Sequence, residues 1–251
     1  LAVSSHTEKR LLVRIGNNPW DLALAAPLAA LIVLALTSGH VPDAGWGALA
    51  GGARSFLLLV LPAVAISLLA GIPLGLIAAR VGRPGDRLVT RSLEMIGGFP
   101  TIVLVALLRA ITPDTPLWVY AATLAIVRIP ETVRLVRLLA VRFRSSDVSA
   151  AAHALGVGPA RLFFRHLLPS MADALVSMSI GSVGVLLGVE AAMAFVGLGA
   201  VEASWGAQLG VAAAGGNLRD ALAPFFALAI TLFSFHRLGE ALRRWLAPHA
   251  S

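Results

Sequence analysis

The sequence predicts an all-α, polytopic integral membrane protein, and three observations carry that expectation: the share of apolar residues, the placement of the basic ones, and the recurrence of apolar runs of membrane length. Of 251 residues, 58% are hydrophobic and 13% charged, and mean hydropathy is +0.85. Soluble domains carry roughly 25% charged residues, so this chain lacks the polar surface that water demands, and lipid is its natural solvent. Lys and Arg number 20 against 13 Asp and Glu, for a formal net charge of +7 and a pI near 11.4. That excess is not a nucleic-acid footprint, because the basic residues fall in short clusters between apolar runs, as in the cytoplasmic loops of membrane proteins. The chain has no cysteine, which excludes disulfides, thiolate metal sites and cysteine nucleophiles. Leu1 to Asn18 is polar and no convincing small-residue cleavage site follows the first apolar run. A cleaved signal peptide is therefore not expected, and the chain is expected to begin on the cytoplasmic side.

A spanning helix needs roughly 20 apolar residues to cross about 30 Å of hydrocarbon. Six stretches are candidates: Trp20–Thr37, Ser55–Ala79, Met95–Thr112, Leu117 to about Leu135, Ala174–Phe195 and Ala221–Phe235. The fourth is short by itself, since Leu117–Val127 is followed by Arg128 and Pro130; a re-entrant or interfacial segment is its alternative. Charge decides for a span. With six spans the cytoplasmic side holds Lys9, Arg10 and Arg14, then Arg80, Arg83, Arg87 and Arg91, then the basic cluster from Arg128 to Arg165, and finally Arg237, Arg243 and Arg244. Only Arg54, Arg109 and Arg219 remain outside. Without the fourth span the largest cluster would face outward, against the positive-inside rule. The expected organisation is a cytoplasmic segment 1–19, a six-span domain 20–248 containing a cytoplasmic loop 136–169, and a tail 249–251, with both termini cytoplasmic.

Pro62, Gly71, Pro73 and Gly75 fall in the second span and Gly181, Gly184 and Gly188 in the fifth. Such residues are costly against bare lipid, so they are expected to face other helices, where small side chains permit close approach.

The loop 136–169 does not read as a linker. Ser145 to Asp147 is a cap signal ahead of a small-residue helix, Val148–Leu155, that stops at Gly156; Gly158-Pro159 then turns the chain into a second helical stretch ending at Pro169. Alanine at 150, 151, 152 and 154 gives helix propensity without bulk, suited to a groove on another protein; a helix resting on the membrane surface is the alternative.

The stretch AAAHALGVGPARLFFRHLLPS resembles the signature loop of ABC-importer permeases, Glu-Ala-Ala, three residues, Gly, and then a Leu-Pro ending. Ala151, Ala152, Gly156, Leu168 and Pro169 match, and Ala150 stands where glutamate is usual. GGARSFLL, RSLEMIGGFP, IPETVRLVR, VEAAMAFVGLG, SWGAQL and LGEALRRWLAP, in that order between Gly51 and Pro248, are similar to the dipeptide, oligopeptide and nickel subfamily, specifically its C-type subunit. The Gly-Arg-Asp segment usual before the second span is missing, and the terminal Asp-Pro-Arg is Ala-Pro-His. The resemblance implies the type I ABC importer permease fold, a bacterial inner-membrane location and a coupling role toward the ATPase for Ala150, Ala151, Ala152, His153, Gly156, Val157, Gly158, Leu168 and Pro169. It also implies a second homologous permease, two cytoplasmic ATPase subunits, an extracytoplasmic binding protein, and cargo that is peptide or a nickel or metal-chelate solute.

No GxxxxGK[ST] is present, so ATP and Mg belong on partner subunits and no cofactor is expected on this chain. HExxH, GxSxG and paired His/carboxylate spacings are absent, and the six histidines are scattered through loops and ends. No catalytic or metal residue is expected. Glu190 is the one carboxylate well inside a span. It is a candidate lining residue of a translocation path, and a structural hydrogen bond or ion pair is its favoured reading. Arg134 and Arg137 share a helical face, where snorkelling to headgroups suffices as an explanation. A secondary transporter, or a membrane scaffold with no ATPase, is the rival functional class.

Overall fold

A computed structural model of the chain describes residues 46–81, 91–93, 95–112 and 114–246. The expected first span, Trp20–Thr37, and the terminal segments 1–19 and 249–251 lie outside the described residues. All regular structure among the described residues is helical. Helix α1 (Trp46–Ser55) runs through a π-helical stretch, Phe56–Val60, into α2 (Leu61–Arg80). Then come α3 (Thr101–Ile111), α4 (Leu117–Arg144) and two short helices, α5 (Asp147–Ala154) and α6 (Pro159–Leu162). A second π-helical stretch, Phe163–Leu167, leads into α7 (Leu168–Phe195), which is followed by α8 (Trp205–Ala214) and α9 (Leu218–Leu246).

Three of the described helices are long and apolar enough to cross a membrane: Leu49–Arg80, Pro159–Phe195 and Leu218–Ala241. They contain the expected second, fifth and sixth spans. The expected third span, Met95–Thr112, is not one straight helix. Arg91–Gly97 and Thr101–Ile111 meet at 74°, because Gly97-Gly98-Phe99-Pro100 ends the first piece and Pro100, with extended backbone, begins the second. The expected fourth span does not stop at Leu135. It is the first part of α4, 28 residues long and so about 42 Å from end to end. Pro130 is buried inside α4, and Arg128 pairs with Glu131 and donates from Nη2 to Ser182 Oγ at 2.9 Å. Neither residue breaks the helix, although both interrupt its apolar run.

Contacts fix the directions of the helices. Gly71 lies beside Thr132 and Gly75 beside Val136, and Arg144 Nη1 donates to Ala79 O at 2.9 Å, so α2 and α4 run parallel. Helix α7 returns against them: Met171 and Leu175 pack with Val136, while Glu190 meets Ser55 at the far end. Helix α9 opposes α7, with Phe235 beside Gly184 and Gly239 beside Ile180. The main core gathers Phe56 and Leu59 from the first π-helical stretch, Tyr120 and Leu124 from α4, Leu187 from α7 and Trp205 from α8.

The two glycine pairs differ. A Cβ at Gly71 would sit 2.6 Å from Thr132 Cβ, and one at Gly75 would sit 2.7 Å from Val136 Cβ and 2.9 Å from Val133 O. These glycines do what the spacing predicts and let α2 and α4 close on each other. Gly75→Val is therefore expected to cost roughly 1–3 kcal/mol through overpacking, read as a lower melting temperature in detergent. In α7, among the described residues, the expectation is met at Gly184 alone, which touches α9. Among the described residues nothing lies within 4 Å of a Cβ at Gly181 or Gly188, and Gly184 has Phe235 Cβ at 3.8 Å. Around Gly181 and Gly188 that face of α7 is open among the described residues.

A candidate coupling loop, a buried junction and a flanking groove

The link between α4 and α7 is shorter than loop 136–169, because 136–144 continue α4 and 159–169 already belong to the helix that becomes α7. Pro169 therefore does not end a helix; it sits in the first turn of α7, where its missing N–H is harmless. Within the link, Ser146 acts as a cap: its Oγ donates to Phe143 O at 2.7 Å, and Ser149 N and Ala150 N donate to Ser146 O at 3.1 Å. Helix α5 turns Ser149 and Ala152 inward, where both are buried, and presents Val148, Ala150, Ala151, Ala154 and Leu155 outward. Leu155 is 82% exposed. Gly156 has φ +66°, and Val157 N donates to Ala152 O at 3.0 Å, a left-handed helix stop that glycine adopts without strain. Gly158 precedes Pro159, the first residue of α6. The side chain of His153 lies outside the described set; Leu168 is half-buried and Pro169 exposed. The loop thus shows an apolar face, Val148, Ala151 and Leu155, that is exposed among the described residues.

At the opposite end lies a buried junction. Ser55 Oγ donates to Glu190 Oε1 at 3.0 Å, and the Ser204 hydroxyl is also hydrogen-bonded to Glu190. Ser204 caps α8 as well, accepting from Ala207 N at 3.4 Å. All three side chains are buried. Glycines make room: a Cβ at Gly52 would fall 2.1 Å from the Trp205 ring, and one at Gly206 would fall 2.1 Å from Ala191 O. Tyr120 Oη donates to Leu198 O and ties α4 to the same place. Glu190 therefore joins α1, α7 and α8 and does not face open space. Ser55 and Ser204 were invisible as partners in the sequence, although GGARSFLL, VEAAMAFVGLG and SWGAQL each contribute one member of the triad.

Along the flank of the bundle, α4, α7 and α9 enclose an open groove of about 880 Å³. Arg128, Glu131 and Arg134 line it from α4, Asp173, Ser177, Gly181 and Ser182 from α7, and His236 from α9. Sequence reading treated Arg128 as an interruption and Arg134 as a snorkelling residue; the sequence held no sign that α7 would face them with Asp173. No cluster of three or more His, Cys, Asp or Glu suited to a metal ion occurs among the described residues.

A multi-pass helical membrane subunit with an exposed helical loop at one end and, along its flank, a largely apolar groove that carries several charged side chains is the class this architecture defines. Residues 71–251 match the model of the binding-protein-dependent transport system inner membrane component, well over half of the chain, and the chain belongs to that family. It is 29% identical over 205 residues to a putative peptide permease protein of Brucella ovis, covering 79% of this chain and 68% of that one. It is 33% identical over 206 residues to the dipeptide transport system permease protein DppC of Alkalihalophilus pseudofirmus (78% and 66%). With the oligopeptide transport system permease protein OppC of Haemophilus influenzae it shares 30% over 201 residues (78% and 64%). Its fold is that of a chain of the MetNI methionine ABC transporter in an inward-facing form: TM-score 0.67, 19% identity, 82% of this chain and all of the other. The family and the spans make it a multi-pass inner-membrane protein.

Proposed function

We propose that this chain is a transmembrane permease subunit of an ATP-driven ABC importer for peptides, forming half of the translocation path and driven through α5. The observation that carries the reading is the outward face of α5: Val148, Ala151 and Leu155 are held away from the bundle by the buried Ser149 and Ala152. Exposed apolar side chains on a short, well-capped helix are suited to a cleft on another protein. Peptide is the cargo class because the relatives above are named as peptide, dipeptide and oligopeptide permeases; none of those names mentions nickel.

In this reading the partners are a second homologous permease, two cytoplasmic ATPases that carry ATP and Mg, and an extracytoplasmic binding protein. The chain catalyses no reaction itself. Six spans with both termini cytoplasmic put α5 on the side of the ATPases and the Glu190 junction on the other. ATP binding moves the helices only by stabilising one of their arrangements over the other, since equal affinity for both shifts nothing. Helix α5 transmits that difference directly, because it connects α4 to the long helix containing α7.

The test is purification of the tagged chain after co-expression with its partner genes. ATPase subunits are expected to copurify and to be lost when residues 148–155 are replaced by a Gly/Ser linker, with the chain still membrane-inserted. Unchanged recovery of ATPases with the replaced loop would sink the coupling assignment. Uptake driven by an ion gradient with no ATPase present would favour a secondary transporter.

A further inference from the structure

Arg134 and Asp173 carry opposite charges, line the same groove and are exposed. They lie at one level of the bundle, since Val136, one turn or less from Arg134, packs against Met171 and Leu175 on either side of Asp173. Yet no salt bridge joins them, and neither side chain has a hydrogen bond or ion pair among the described residues. The neighbouring Arg128, by contrast, is held by Glu131 and Ser182. Unlike charges within spanning helices normally pair with each other, because an unpaired charge there is costly.

Two unpaired charges of opposite sign facing one space are complementary to a ligand that brings both signs. The whole groove is close to electrically balanced, with Arg128 and Arg134 against Glu131 and Asp173 and with His236 at its side, so it does not select a net anion or cation. Room is present: the groove holds about 880 Å³, and Gly181 leaves its floor open. Guanidinium is the natural receptor for a carboxylate and carboxylate for an ammonium.

We infer that the α4–α7–α9 groove is a transit site for zwitterionic solutes of short-peptide type, with Arg134 receiving the terminal carboxylate and Asp173 the terminal ammonium. This rests on the importer reading above and adds to it a place and a polarity for the cargo within the membrane subunit.

The chain has no cysteine of its own, so Ser177→Cys, one turn from Asp173 on the groove wall, gives a single reporter. In membranes containing the assembled transporter, the alkylation of Cys at 177 by a water-soluble maleimide is followed with trialanine, its C-terminal amide or its N-acetyl form present. Trialanine is expected to protect the thiol, and the two blocked peptides to protect roughly tenfold less well, the loss expected for one charge-assisted contact. Arg134→Gln should abolish the distinction between acid and amide only, and Asp173→Asn the distinction between free and acetylated amine only. Three results overturn the inference: a thiol inert to the water-soluble reagent but open to a membrane-permeant one, no protection by trialanine, or identical selectivity in both charge variants and the parent. Copurification of the ATPases is scored on the same membranes. Its loss marks failure of the importer reading, whereas intact copurification with any of those three results marks failure of the site alone.

Discussion

An Ala151→Arg variant is expected to insert and fold like the parent but to lose its ATPase subunits and, with them, about tenfold or more of its uptake, as for a charged side chain placed at the centre of a docked interface. Ala151 is exposed on α5, so the new side chain meets nothing among the described residues. The adjacent position separates docking from folding: Ala152 is 6% exposed, and arginine there should disrupt the loop itself, seen as increased proteolysis. Gly156 adds a backbone test. At φ +66° asparagine is tolerated far better than a β-branched residue, so Gly156→Asn should retain much of the uptake and Gly156→Val should lose it. Among the described residues no atom lies within 4 Å of the Cβ position, which points to conformation as the cause. Wild-type uptake by a stably expressed Ala151→Arg protein would remove α5 from the coupling path.

Gly206→Val is expected to prevent recovery of folded protein. Its Cβ would meet the backbone oxygen of Ala191 at 2.1 Å, so α8 would have to leave α7 and expose Trp205, now 2% exposed. Cavity and packing losses around a side chain of that size amount to roughly 3–5 kcal/mol. Glu190 gives a graded companion. Glu190→Gln keeps an oxygen to accept from Ser55, whereas Glu190→Ala leaves two buried hydroxyls without their acceptor, a loss of roughly 1–3 kcal/mol. Thermal unfolding of the purified protein in detergent checks the order: parent and Gln close together, Ala lower, Val absent. A Gly206→Val protein melting with the parent would contradict the close contact at this junction.

Much of this architecture is legible in local sequence. Ser145 to Asp147, Gly156 and Gly158-Pro159 bound α5 and its turn as the structure has them, because caps and left-handed stops depend on the residues at hand. The bend at Gly97-Gly98-Phe99-Pro100 was equally local, yet the apolar run on both sides of it reads as one span. Helix α8 was missed for another reason: its serine cap is visible, but ten residues of small side chains carry no periodic signal. Continuation of α4 past Leu135 goes with its packing on α2, where Val136 meets Gly75 and Arg144 donates to Ala79 O, 65 residues away in the chain. The groove and the Glu190 triad are likewise products of helix pairing, and composition cannot state which faces meet. The same holds for the glycines of α7, whose spacing is that of a packed pair but of which only Gly184 meets another helix among the described residues.

The π-helical stretches have a bearing on how chains of this kind tolerate changes in length. A wide turn at Phe163–Leu167 accommodates one residue more than an α-turn would. Removing a residue there tightens the turn and leaves the faces of α5 and α7 in nearly their present bearings. The same deletion a few positions later, within α7, would rotate everything on one side of it by about 100°, carrying Asp173 off the groove or Glu190 away from Ser55. Insertions and deletions that preserve function should therefore cluster at the two wide turns, one near each end of the bundle, where the chain can change its count without changing its compass.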